Sequence, residues 1–227
     1  MRHKRRALAI LSIAVAVWLD VVSGGCLPLL ARDPRVTPGR SASVALAVPV
    51  AHGSDSSSNY PILNLVAARL SYGWSPEPEH RPSIEAGVTA PFALVFLPEP
   101  DIYVQAPRSI TGGLDAGVGV SLPWVAATVI PYTTIGHVNQ RGAGWFASAG
   151  YTPSANVNGT STTGRERAWL YGLGLQLSDK RGLNQVFVQG MNASGVRLCQ
   201  SPTVCSTEHP WLAAVGLNFR LTSPATP

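Results

Sequence analysis

Few side chains in this sequence could do chemistry. A general base with a nucleophile beside it could be drawn from His137 and the hydroxyl of Thr133 or Thr134. His52, His80 and His209 fall in segments read as loops and have no convergent partner. No phosphate-cradling glycine motif, metal cluster or dinucleotide fingerprint occurs, so no cofactor is expected. Cys199 and Cys205 are close enough in sequence to close a short disulfide loop in an oxidising compartment; free thiols or a metal pair with the distant His209 are the alternatives.

Four charged residues, Arg69, Glu85, Asp115 and Arg220, fall among small residues on one side of alternating runs. If that side is enclosed, the charges must be paired or wet. They read as a plug of ion pairs filling a narrow interior, with a charge-selective pathway or ligand site as the alternative. Glu85-Ala86-Gly87-Val88 and Asp115-Ala116-Gly117-Val118 echo one another, placing both acids inward and early in strands of the same direction.

The formal net charge of +5 does not indicate a nucleic-acid partner. Arg2, Lys4, Arg5 and Arg6 precede the apolar run Ala7 to Leu19, and the rest of the chain clusters no Lys or Arg on one face. The basic start, the apolar run and the small residues Ser23, Gly24 and Gly25 read as an export signal over residues 1–25. An uncleaved anchor is the alternative, with Val21 and Val22 extending the run past Asp20. Small residues ending in Cys26 resemble the bacterial lipobox, which implies a lipid on the Cys26 thiol, although Ser23 stands where that family prefers a branched aliphatic residue. An ordinary signal peptidase could cut at the same place. Residues 26–40 then read as a periplasmic linker and residues 223–227 as a tail.

Between them, residues 41–222 are governed by a period of two. With 45% hydrophobic and 13% charged residues, and with Gly 22 and Pro 19 punctuating the runs, short strands are expected rather than a few long helices. Trp211, Ala213, Val215, Leu217, Phe219 and Leu221 share one face of the last run, opposite Leu212, Ala214, Gly216, Asn218 and Arg220. The same division recurs in the runs 66–74, 113–124 and 168–177. A soluble sheet would carry Lys, Glu and Thr on its second face. Here that face is Gly, Ala and Ser, while the large residues end in Trp or Tyr. This inversion suits an all-β transmembrane antiparallel barrel, with large residues toward acyl chains and small ones enclosing the interior. Trp74, Trp124, Trp145, Trp169 and Trp211 fall at or near the run ends, as interface aromatics would.

The segment Gly216, Leu217, Asn218, Phe219, Arg220, Leu221 resembles the C-terminal signature of bacterial outer-membrane β-barrel proteins. That resemblance implies Gly216, Phe219 and Leu221 as an insertion signal, and outer-membrane lipid and the barrel-insertion machinery as partners. The departures are Ala214, at a usually polar position, and the six residues that follow the strand.

Strands are expected at 43–51, 62–74, 83–92, 101–107, 113–124, 126–138, 142–152, 167–178, 185–194 and 211–221, a meander of ten, or of eight if the first and the proline-flanked 101–107 drop out. Pro49 and Pro131 belong at an edge or bulge. An even count returns both termini to the periplasm, which places the loops 52–61, 153–166 and 195–210 outside the cell. The expected function is that of a small outer-membrane barrel with a structural, adhesive or narrow-transport role. The alternatives are a lipid-anchored periplasmic β-sandwich or soluble-type barrel that binds a ligand, and a lipid-modifying barrel enzyme using His137.

Overall fold

The computed structural model describes residues 32–53, 66–91, 98–122, 129–152, 167–178, 181–194, 196–201, 204–208 and 211–222. Twelve strands occur among them: β1 Gly39–Gly53, β2 Val66–Trp74, β3 Ser83–Pro91, β4 Glu99–Gln105, β5 Asp115–Ser121, β6 Ile130–Val138, β7 Gly144–Thr152, β8 Arg167–Gln176, β9 Gly182–Ser194, β10 Val196–Ser201, β11 Val204–Glu208 and β12 Trp211–Arg220. Ten form one closed antiparallel meander in which β12 returns to β1, and β10 and β11 pair as a separate hairpin. The sheet closes on itself, so the two-sheet sandwich alternative is excluded.

Closure joins Ser43 to Arg220 and Gly53 to Trp211, with a register shift between Pro49 and Ala51, a bulge at the proline. Pro100 and Pro131 instead sit within regular ladders opposite Val88 and Val120. The proline-flanked strand expected at 101–107 is real but lies two residues earlier, at Glu99–Gln105. The hairpin β10–β11 occupies a segment expected to be loop, and sets Cys199 opposite Cys205 in register.

One end of the barrel, the short-turn rim, is made by the turns after β2, β4, β6 and β8, and the other, the long-loop rim, by the connections after β1, β3, β5, β7 and β9, of which those after β1, β7 and β9 are the longest in the ring. The turn after β6 shows how the short ones are held: the side-chain Oδ1 of Asn139 accepts from the backbone N–H of Arg141 and Ala143, while Gly142 supplies the positive φ of 78° that completes the reversal.

Exposure alternates with the pleat. In β6, Ile130, Tyr132, Thr134, Gly136 and Val138 are buried, while Pro131, Thr133, Ile135 and His137 are exposed. The outer wall is a continuous apolar surface: Leu70 is 67% exposed, Val118 63%, Leu173 61% and Val215 40%. A folded soluble domain rarely leaves so many large side chains uncovered.

The inward glycines accommodate neighbouring rings. A Cβ on Gly119 would lie 2.3 Å from the Tyr132 ring, one on Gly174 2.5 Å from Phe146, and one on Gly216 2.2 Å from Phe187. Each aromatic lies across the strand beside it, so small and large residues alternate around the interior. Ten strands enclose more space than eight, whose interior side chains alone can fill. The remainder here is occupied by a segment of the chain itself.

Candidate functional site: a plugged lumen

That segment is residues 32–38, expected above to be part of a linker outside the barrel. It lies inside, without strand structure, ending at the short-turn rim where Gly39, at φ 85°, turns the chain into β1. Two wall glycines make room for it. A Cβ on Gly73 would lie 2.1 Å from the Thr37 carbonyl oxygen, and one on Gly136 2.8 Å from Pro34. Val36 is buried among wall side chains, and its N–H donates to Gln105 Oε1 at 2.8 Å.

Arg32 reaches deepest. Its Nη1 donates to Asp101 Oδ1 at 2.8 Å and to the Tyr132 hydroxyl, and its Nη2 lies 2.9 Å from Glu85 Oε1. The guanidinium carbon sits 4.1 Å from the Tyr103 ring centroid and 5.7 Å from that of Tyr132. The two rings are parallel with centroids 6.1 Å apart. They can be so because Gly117 and Gly119 of the intervening β5 lack side chains where the rings lie. Arg69 shares the same carboxylates: its Nη2 donates to Glu85 Oε1 at 3.0 Å and to Asp101 Oδ1 at 2.9 Å, and its Nη1 pairs with Asp101 Oδ2.

Two further contacts fasten the plug. Asp33 accepts from Arg220 Nη2 at 2.7 Å and from Gln176 Nε2 at 3.0 Å. An amide relay runs from this point around the wall, Gln185 donating to Gln176 at 2.8 Å and Asn218 donating to Gln185 at 3.0 Å. Arg35 meets Asp115 through Nε at 3.4 Å and Nη2 at 3.3 Å. Asp115, fully buried, also lies 3.4 Å from Arg108 Nε and accepts from Gln105 Nε2 at 3.1 Å and from the Val138 N–H at 3.1 Å. Buried charges that are both paired and hydrogen-bonded in this way avoid the large penalty of isolated ones. A space beside the plug, lined by residues including Arg32, Ser41, Ser43, Arg69 and Asn218, has a volume of about 30 Å³. That is room for about one or two waters.

Arg69, Glu85, Asp115 and Arg220 therefore all face the lumen, but only Arg69 and Glu85 meet directly. Arg220 pairs with Asp33 of the plug, and Asp115 with Arg35 of the plug and with Arg108 of the turn after β4. Arg32, Asp33 and Arg35 are not marked by periodicity, because they precede the first alternating run. Their one available signal was density, with three charges in four residues of a chain that is 13% charged. Asp101, Tyr103 and Tyr132 were missed because the runs that carry them are interrupted by prolines.

The other sites divide as follows. Trp74 and Trp145 stand exposed at the short-turn rim, Trp169 and Trp211 exposed near the opposite rim, and Trp124 lies outside the described residues. Gly216 is inward beneath Phe187, while Phe219 and Leu221 are on the outer face. Cys26 is outside the described residues. His137 and Thr134 are on opposite faces, and Thr134 is bonded to Ser148 at 3.1 Å. Thr133 shares the outer face with His137 but stands four residues along the strand, roughly 13 Å away, with its hydroxyl donating to the Gly117 carbonyl at 2.9 Å. The geometry does not assemble a base and nucleophile from this stretch. The outer wall also carries an apolar hollow of about 540 Å³ over β4 to β8, bordered by Ile102, Val118, Pro131, Ala149 and Trp169. Among the described residues no group of three or more His, Cys, Asp or Glu could hold a metal ion.

No family model, no curated protein and no solved structure matches this chain.

Proposed function

We propose that this chain is a small outer-membrane β-barrel protein whose own N-terminal segment closes its lumen, and that it has a structural or adhesive role at the surface rather than serving free diffusion. The observation that carries this reading is the outer wall: large apolar side chains alternate outward around a closed ring of ten strands, and among the described residues no second layer covers them. In water each such side chain would forgo roughly 1.5–3 kcal/mol of burial; against hydrocarbon the arrangement is the favoured one. Exposed tryptophans near both rims suit the two interfaces of a bilayer. The plug bonded across the inner wall argues against an open pore.

Within this proposal residues 1–25 are the export signal, and Cys26 begins the exported chain either lipidated or simply cleaved. The C-terminal strand is the insertion signal, and a Cys199–Cys205 disulfide ties the hairpin beyond the long-loop rim. A narrow-transport role is the second reading, favoured by one observation: the plug makes no strand pairing with the wall, so the ring is complete without it.

The test is the migration of the membrane fraction on gels with and without boiling, followed by conductance in planar bilayers. The expected result is a heat-dependent shift in apparent mass and no steady conductance from the intact chain. Partition into the aqueous phase with identical migration in both lanes would overturn the membrane placement.

A further inference from the structure

We infer that the barrel wall carries a guanidinium-binding site, formed by Glu85, Asp101, Tyr103 and Tyr132, which the chain's own Arg32 fills as a tethered ligand and which a free guanidinium-bearing solute occupies when the plug is withdrawn. All four residues belong to wall strands, β3, β4 and β6, and only the occupant comes from the plug. The fit is to a planar, forked cation. One nitrogen donates to Asp101 at 2.8 Å and to the Tyr132 hydroxyl, a second lies 2.9 Å from Glu85 as an ion pair without hydrogen-bond alignment, and the face lies 4.1 Å from the Tyr103 centroid. An ammonium would keep the charge but lose both the fork and the stacking face.

The charge pattern points the same way. The wall sets one arginine, Arg69, against two carboxylates at this level, and Arg32 supplies the second positive charge. With the plug out, the pocket is short of one cation. Above it stands a further buried acid, Glu99, whose Oε1 has no hydrogen-bond partner among the described residues, while Arg220, which lines the same space as Glu85, gives up Asp33 when the plug leaves. Withdrawal does not require the ring to open, because closure runs through the β1–β12 ladder. The ligand class is thus a guanidinium-bearing solute, such as arginine or an arginine-containing peptide. The plugged-lumen reading is needed only for the route by which it arrives.

The experiment is cation rescue of the full-length Arg32→Ala chain, with thermal unfolding followed by the β-sheet circular dichroism signal. The midpoint of Arg32→Ala is expected to fall by about 10 °C. Millimolar ethylguanidinium should restore most of that loss, ethylammonium much less, and the wild-type chain, its site already filled, should gain nothing. Adding Asp101→Asn should abolish the rescue. If Arg32→Ala does not fold unaided, its refolding yield in the two cations becomes the readout, with the same order expected. Equal effects of both cations, no effect of either, or rescue that survives Asp101→Asn would overturn the site. The midpoint is read in whichever solvent keeps the barrel folded, so loss of the membrane placement, shown by aqueous partition, leaves this comparison standing.

Discussion

The outer wall and the lumen of this barrel are built on different rules. Outside, each side chain meets its neighbours on adjacent strands at the fixed spacing of the pleat, and the sequence requirement repeats every two residues. Inside, groups distant in the chain converge: Arg32 meets Tyr132 and Asp101, and Asp33 meets Arg220. The wall is therefore tolerant and periodic, whereas the lumen is specific and aperiodic. Damage to the two should differ in kind, the wall responding to polarity at almost any position and the lumen to the loss of single named partners.

The sharpest break is expected at Asp101, which holds both Arg32 and Arg69. Asp101→Asn removes a shared buried charge and leaves two guanidinium groups on Glu85, at a cost of about 3–5 kcal/mol. Thermal unfolding should register it as a fall of about 10 °C in the midpoint. An unchanged midpoint would mean that the lumen is wetter and less demanding than its contacts imply.

Next comes the wall. Leu173 is 61% exposed on the outer face, opposite Ala147 and Val188, near the middle of β8's neighbours. Leu173→Arg is expected to cost about 2–4 kcal/mol if hydrocarbon surrounds this position. At an exposed site in water the effect would be within about 0.5 kcal/mol. Heat-dependent gel migration and recovery from the membrane fraction separate the two, and a fully assembled Leu173→Arg barrel would remove the main argument for a bilayer.

The contrast also explains what the sequence disclosed. The outward sets Val215, Leu217 and Phe219, and Leu173 and Leu175, were legible because a period of two is a local property of the chain. The ring of ten and the inward placement of Arg69, Glu85, Asp115 and Arg220 followed from the same period. Which charges pair did not follow, since pairing depends on the register of strands far apart and on a segment with no periodicity. Residues 32–38 looked like a linker because nothing alternates there. The glycines do line the interior, as their side of the alternation implies, but what each accommodates was not legible: Gly119, Gly174 and Gly216 each lie beneath an aromatic ring from the next strand, and Gly73 and Gly136 beneath the plug.

Gly73 gives a smaller, more local probe of the plug. A Cβ there would press on the Thr37 carbonyl at 2.1 Å and on Val36 at 3.0 Å, with backbone on one side of the contact. Gly73→Ala is expected to cost about 1–3 kcal/mol as overpacking, and to do so by displacing the end of the plug. Steady conductance should then appear in planar bilayers while the barrel still shows its heat-dependent migration. A closed barrel of unchanged stability would show that the plug can shift without leaving.

The smallest effect is expected at His137. It stands on the outer face of β6 opposite Trp145, close to the short-turn rim, on the far side of the wall from Thr134 and well separated from Thr133. With no buried partner to lose, His137→Ala should change stability by no more than about 0.5 kcal/mol and leave the lipid composition of isolated membranes as it was. Loss of a lipid modification in that variant would relocate function from the lumen to the outer wall. It would also show that a surface whose packing asks only for apolar bulk can still carry one position chosen for chemistry.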